Sequence, residues 1–210
     1  LRKHSHEFLG VQEIQTMLSE LEKTHPALVK ELIPKIINVL QLSEIFQRLV
    51  QEDISIRDLK NIFATLAQWG EVERDTVALT EHVRAGLKRY VTHKYAGQTG
   101  TLAVYLLDPD IEEAIRGAIR KTDKGNYLAL EPEKTQELVE AVGKEIASHP
   151  LPPGAKPPVV LTISEVRRYF RKIIELEFPQ LAVLSYQELS ENLRIQPIAR
   201  IALPSAANAA

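Results

Sequence analysis

Residues 42–70 read LSEIFQRLVQEDISIRDLKNIFATLAQWG, and their spacing encodes two amphipathic helices joined by a short charged connector. In the first, Leu42, Ile45, Phe46, Leu49 and Val50 fall at i, i+3, i+4, i+7 and i+8, which gathers five apolar side chains into one core-facing stripe. Ile56, Leu59, Ile62, Phe63 and Leu66 repeat the pattern, leaving Arg57, Asp58, Lys60 and Asn61 on the wet side. The connector, Gln51-Glu52-Asp53-Ile54-Ser55, is too short to hold a domain boundary. Ser55 followed three residues later by Asp58 resembles a capping box, so the second helix is expected to start near Ile56.

Helical signals continue on both sides of this pair. Upstream, Ile14, Met17, Leu18 and Leu21 form a stripe, and His25-Pro26 restarts a short helix with proline in its first turn. Downstream, Asp75 caps a helix expected to bury Leu79, Val83, Leu87 and Tyr90 and to turn Arg84, Lys88 and Arg89 outward. The glycine-containing stretch from His93 to Gly100 then marks a boundary.

Beyond it the periodicity changes. Leu102 to Leu107 is an apolar run of strand length, and Asp108-Pro109 caps and opens a helix carrying Ile111, Ala114, Ile115, Ala118 and Ile119 on one face. Tyr127 to Leu130 reads as a short strand, Glu131-Pro132 opens a helix through Leu138, Val142 and Ile146, and prolines between His149 and Pro158 impose a loop. Val159 to Ile163 is a buried-type strand. Thr162 with Glu165 fits a capping box for a helix lined by Val166, Tyr169, Phe170, Ile173 and Ile174, which stops before Pro179. Leu181 to Leu184 and Ile195 to Leu203 complete the strands, and Pro197 confines the last to a sheet edge because it has no amide to donate. The expected fold is therefore an all-helical subdomain over 1–95 and an α/β subdomain with a mixed sheet over 101–203, with 204–210 as a tail.

Composition narrows the function classes. At 44% hydrophobic over 210 residues the chain is long enough for a sizeable core in one or two domains. A formal charge of -2 gives no overall attraction to phosphate or to an anionic membrane, so nucleic-acid binding needs a local patch. The 210 residues contain no cysteine, which excludes disulfides, thiolate catalysis and cysteine-ligated zinc within them. No apolar run reaches the ~20 residues that cross a bilayer. Because the sequence opens on Leu1, it is expected to be a fragment of a longer protein, with any membrane segment elsewhere.

No constellation in the sequence carries chemistry. There is no phosphate-binding loop and no dinucleotide fingerprint. His4, His6 and Glu7 lack a third metal ligand at recognisable spacing, and His25, His82, His93 and His149 have no nucleophile or His-Glu-x-x-His partner. Asp108, Asp110, Glu112 and Glu113 sit in a helix first turn, where exposed amides favour carboxylates without any acid–base role. Arg167, Arg168, Arg171 and Lys172 form a basic helix face whose aromatic neighbours, Tyr169 and Phe170, belong to the apolar stripe. A partner-facing surface is the reading preferred over a phosphate-binding one. Neither cofactor, metal nor catalytic residue is assigned.

With Ile54-Ser55-Ile56-Arg57-Asp58-Leu59-Lys60 preceded by Leu49-Val50, the chain resembles the FHIPEP family, the large export-gate subunit of flagellar and virulence type III secretion systems. The resemblance extends from Phe8-Leu9-Gly10-Val11-Gln12-Glu13 through Leu28-Val29-Lys30-Glu31-Leu32 and Leu79-Thr80-Glu81-His82-Val83-Arg84 to Val183-Leu184-Ser185-Tyr186-Gln187-Glu188-Leu189, covering residues 1 to 203. Ile14 replaces a frequent threonine, and Gly70 stands where the family commonly has Ala-Pro.

The resemblance implies an inner-membrane export gate whose cytoplasmic portion, built of four subdomains, assembles into a nine-membered ring. This chain then corresponds to the last two subdomains, on the cytoplasmic side. The implied partners are further copies of itself, export substrates, secretion chaperones, gatekeeper or switch proteins and the ATPase-complex stalk. No enzyme activity is implied. Interface residues are expected among Glu13, Arg57, Asp58 and Lys60 on the helical half, and Arg167, Arg168 and Arg171 on the other. The competing reading is a helix-turn-helix-like nucleic-acid-binding regulator, which the mixed charge of Arg57, Asp58, Lys60, Asn61 and Gln68 disfavours.

Overall fold

A computed structural model of the chain describes residues 9–122, 125–151 and 154–203, so His4, His6, Glu7 and the alanine-rich tail lie outside the described residues. Two compact units are present, Leu1–Val91 and Thr92–Ala210. The first is built from α1 (Val11–Thr24), α2 (Pro26–Leu32), α3 (Val39–Gln51), α4 (Leu59–Trp69) and α5 (Thr76–Gly86). A further helix, α6 (Lys88–Ala96), runs from it into the second unit.

Packing follows the stripes. Ile14 of α1, Leu42, Ile45, Phe46 and Leu49 of α3, Ile62, Phe63 and Leu66 of α4, and Leu79 and Val83 of α5 are all buried. The helix neighbours close a cycle: α1 packs on α2, α2 on α4, α4 on α5, α5 on α3, and α3 on α1. Asn38 opens α3 with a full capping box, accepting from the Gln41 amide while the Gln41 side chain accepts from its own.

Three local expectations in this unit are corrected. Helix α4 begins at Leu59 rather than Ile56, with Asp58 as its cap, because the buried Ile54 must first be driven into the core and residues 55–57 return the chain to the surface. Ser55 serves instead as acceptor for the Arg57 amide at 3.3 Å. The helix expected from Asp75 to Tyr90 breaks at Leu87, whose amide reaches the carbonyls of both Val83 and Arg84, so that Val91 rather than Tyr90 is buried. Arg84, expected to point outward, is buried. Helix α6 then continues through His93 to Ala96, and the irregular stretch is reduced to residues 97–100.

The second unit contains β1 (Thr101–Leu107), α7 (Pro109–Ala118), β2 (Ile119–Thr122), β3 (Gly125–Leu128), α8 (Pro132–Ser148), β4 (Val159–Thr162), α9 (Ser164–Ile174), β5 (Val183–Ser185) and β6 (Arg194–Ile201). Four of these strands form one parallel sheet, ordered β5-β4-β1-β6, in register Val160 to Val183, Val104 to Val159 and Leu102 to Ile195. β2 and β3 form a separate antiparallel pair. The chain thus has the expected helical half followed by an α/β half, with parallel and antiparallel pairing divided between two sheets. Pro197 does lie on an edge strand, beside an irregularity in the β1–β6 register.

One core gathers Tyr105, Val160 and Val183 of the sheet with Ile111 and Ile115 of α7, Val142 of α8 and Val166 and Phe170 of α9. The capping box expected from Thr162 and Glu165 does not form. Glu112 of α7 instead accepts from Thr162 Oγ1 at 2.7 Å and from the Ile163 amide at 3.1 Å, so the acidic first turn of one helix satisfies the start of another.

Candidate functional site

The connector between α3 and α4 is built for presentation. Helix α3 ends in a Schellman arrangement: the Asp53 amide donates to Val50 O at 2.9 Å and the Ile54 amide to Leu49 O at 2.8 Å, with Asp53 at φ 58°. The left-handed turn reverses the chain and buries Ile54 against the core. Glu52, the C-cap residue, is clamped from α5 by Arg84, whose Nη1 lies 3.2 Å from Glu52 Oε2. A buried guanidinium therefore fixes a connector whose outer side chains face water.

Arg57 and Lys60 are exposed at this connector. Asp58 beside them is exposed too, but its carboxylate is occupied: Oδ1 accepts from the Asn61 amide at 3.3 Å and Oδ2 from Asn61 Nδ2 at 2.6 Å. Its role is to cap α4. Glu13 is exposed on α1, which packs on α2 and α3, whereas Arg57 and Lys60 lie at the junction of α3 and α4.

A second feature lies at the far end of α4. Trp69 stacks on His82 of α5 with ring centroids 3.9 Å apart and planes 6° from parallel, and remains 37% exposed. Burial pushes the His82 imidazole below its ordinary pKa, a shift that the nearby Glu73 and Glu81 carboxylates oppose without reversing. Three residues on, Val72 is 77% exposed. Neither the stack nor the exposed valine was signalled by hydrophobic periodicity, since His82 falls outside any stripe and Val72 follows the helix.

In the second unit the expected basic face dissolves. Arg167 is buried; it donates to Val183 O at 3.3 Å and lies 3.8 Å from the equally buried Glu188. Arg171 folds back over the end of its own helix, donating to the carbonyls of Phe178, Pro179 and Leu181 at 3.2, 3.1 and 2.9 Å. Arg168 lies over the Tyr169 ring, 4.5 Å from its centroid. The reason is geometric: α9 packs on β4 and β5, so position 167 meets a carbonyl of β5 and position 171 the loop carbonyls before it, instead of solvent. Arg167 is thereby withdrawn as an interface residue, and a phosphate-binding surface loses two of its four cations.

Among the described residues no group of three or more His, Cys, Asp or Glu side chains is arranged to hold a metal, and no helix is long and apolar enough to cross a membrane. What the geometry offers is a set of fixed surfaces.

Comparison with known proteins agrees with this. The model of the FHIPEP family matches residues 1–194. Low calcium response locus protein D of Yersinia pestis is 44% identical over 203 residues, 97% of this chain, and the chain spans 28% of that protein's length. Among solved structures, the complex of the Chlamydia pneumoniae CdsV and CdsO proteins includes a chain 49% identical, with a TM-score of 0.90, covering 96% of this chain and 58% of that one. The nonameric SctV-C of EPEC, solved by cryo-EM, is 36% identical with a TM-score of 0.84, covering 95% and 59%. With the family pattern matched across both units and the same fold in relatives of this identity, the chain belongs to the FHIPEP family.

Proposed function

We propose that the chain is the ring-forming and outer part of the cytoplasmic portion of a type III secretion export gate, a transport component and not an enzyme. Residues 1–95 supply the contact between copies in a nine-membered ring. Residues 101–203 form the outer subdomain that docks export substrates, chaperones, regulators and the ATPase-complex stalk. The assembly stands on the cytoplasmic side of the bacterial inner membrane.

The observation that carries this reading is the likeness, over 95% of the chain, to a relative solved as a nonamer. Another relative has been solved in complex with CdsO, which supports protein partners for the export gate of which this chain is proposed to be part. Exposed Arg57 and Lys60 at the α3–α4 junction and exposed Glu13 on α1 carry opposite charges, which a head-to-tail ring contact could pair. Arg168 and Arg171 are retained only as residues that shape the outer unit, Arg171 by holding the 178–181 loop.

Light scattering of the natural gene product and its Arg57→Glu variant tests the charged contact. The reversal is expected to shift assembly toward single copies, more strongly at low salt than at high, because exposed ion pairs are screened. Unchanged assembly at every salt concentration would remove Arg57 from the interface.

A further inference from the structure

From Trp69 to His82 the sequence WGEVERDTVALTEH sets the acids Glu71, Glu73, Asp75 and Glu81 against a single base, Arg74. That base reaches toward the loop before α3, with its Nη1 3.5 Å from Ile36 O. Folding gathers the acids around an apolar centre. The His82 imidazole covers one face of the Trp69 indole and holds the ring in one orientation, yet the tryptophan stays part exposed. The carboxylates of Glu73 and Glu81 lie near enough to act on that imidazole. Val72, 77% exposed, follows one turn after Trp69, next to the exposed Glu71.

The turn that carries these side chains is fixed before any partner arrives. The Val72 and Glu73 amides donate to Trp69 O at 3.1 and 2.9 Å, and the Glu73 carboxylate accepts from the Asp75 amide at 2.8 Å. Asp75 in turn caps α5 by accepting from the Val77 amide. Gly70 is packed so closely that a Cβ there would run into Ile36 Cγ2 and Leu66 O. Little order remains to be imposed on such a turn when it binds.

We infer that this patch docks a basic segment of a partner protein, one that sets Lys or Arg beside an aliphatic side chain. Ring chemistry and charge together select that occupant. Indole attracts a cation over its face more strongly than any other side-chain ring, and His82 confines the cation to the face it leaves uncovered. Carboxylates around the ring attract the same cation, steer its approach and disfavour an acidic segment. Val72 offers apolar contact to the aliphatic neighbour, and tryptophan is among the residues on which binding energy concentrates. The inference concerns the helical unit alone and does not depend on the ring.

Selection from a display library of short random peptides tests it, with the natural gene product as target and its Glu71→Lys, Val72→Ser double variant for counter-selection. Both positions are exposed, so the variant keeps the fold, which an unchanged melting curve verifies. The peptides retained are expected to carry Lys or Arg next to Leu, Ile or Val. By calorimetry, one of them is expected to bind the double variant and the Trp69→Leu variant at least about tenfold more weakly than the natural sequence, and to bind the natural sequence more weakly as salt rises. No peptide surviving counter-selection, or survivors that are acidic or uncharged, overturns the inference. Loss of assembly in the double variant overturns it as well, by making the patch a contact between copies.

Discussion

The Arg84 guanidinium lies 3.2 Å from the Glu52 carboxylate, with the arginine side chain 2% exposed and the glutamate 24%. This pair ties α5 to the C-cap of α3 and so fixes the connector that carries Arg57 and Lys60. A surface proposed to meet another subunit is thus oriented by a charge buried inside its own.

Removing either partner is expected to be costly, but unequally. Glu52→Ala withdraws the carboxylate from a buried cation and is expected to lower unfolding free energy by about 3 kcal/mol. Arg84→Met replaces the cation by an apolar side chain and leaves a carboxylate with some access to water, for a smaller loss of about 1–2 kcal/mol. Urea titration of both variants checks the order; equal losses, or a larger one for Arg84→Met, contradict the assignment.

At Asp53 the φ of 58° lies in the left-handed region, where glycine has no steric penalty. Asp53→Gly is expected to be neutral or stabilising by up to about 1 kcal/mol, and Asp53→Val to destabilise by about 1–2 kcal/mol. Gly70 is demanding for another reason: a Cβ there would lie 2.4 Å from Ile36 Cγ2 and 2.7 Å from Leu66 O. Gly70→Ala is expected to cost about 1–3 kcal/mol, measured by the same titration. A stabilised Gly70→Ala variant would mean that the Ile36 loop yields freely.

His82 makes unit stability depend on pH. Its pKa is depressed in the folded chain, chiefly by burial, so between the ordinary histidine value near 6.5 and the lower folded value the unfolded chain binds more protons. Stability is therefore expected to be complete above pH ~6.5 and to decline as pH falls through it. His82→Phe keeps a ring against Trp69 and removes the titration. Thermal melts from pH 7.5 to 5.5 should show a slope for the natural sequence that the variant lacks.

Arg167 and Arg168 are neighbours in sequence and opposites in consequence. Arg167→Ala leaves Glu188 buried without that cation and is expected to cost about 3–5 kcal/mol. Arg168→Ala loses a contact with Tyr169 at the surface of α9 and is expected to cost about 1 kcal/mol or less. Denaturation of the pair checks this; similar losses contradict the burial of Arg167.

The apolar stripes carried most of the fold. Leu42 to Leu66 gave the helix pair with its core face, and the runs at 102–107 and 159–162 gave the two central strands of the parallel sheet. Cations misled, because their burial depends on a partner distant in sequence: Glu52 is 32 residues from Arg84, and Glu188 is 21 from Arg167. The start of α4 was misplaced because Ile54 is buried first, and the box expected of Thr162 and Glu165 gave way to Glu112, a carboxylate distant in sequence. Of the surface features, Arg57 and Lys60 were legible from periodicity. The Trp69–His82 stack arises only when α4 and α5 pack, and no single stripe encodes it.

Electron microscopy of the purified natural gene product bears most directly on the central claim. Ring-shaped particles with ninefold symmetry are the expected result. Particles that remain single copies at every protein and salt concentration would contradict a ring-forming export gate.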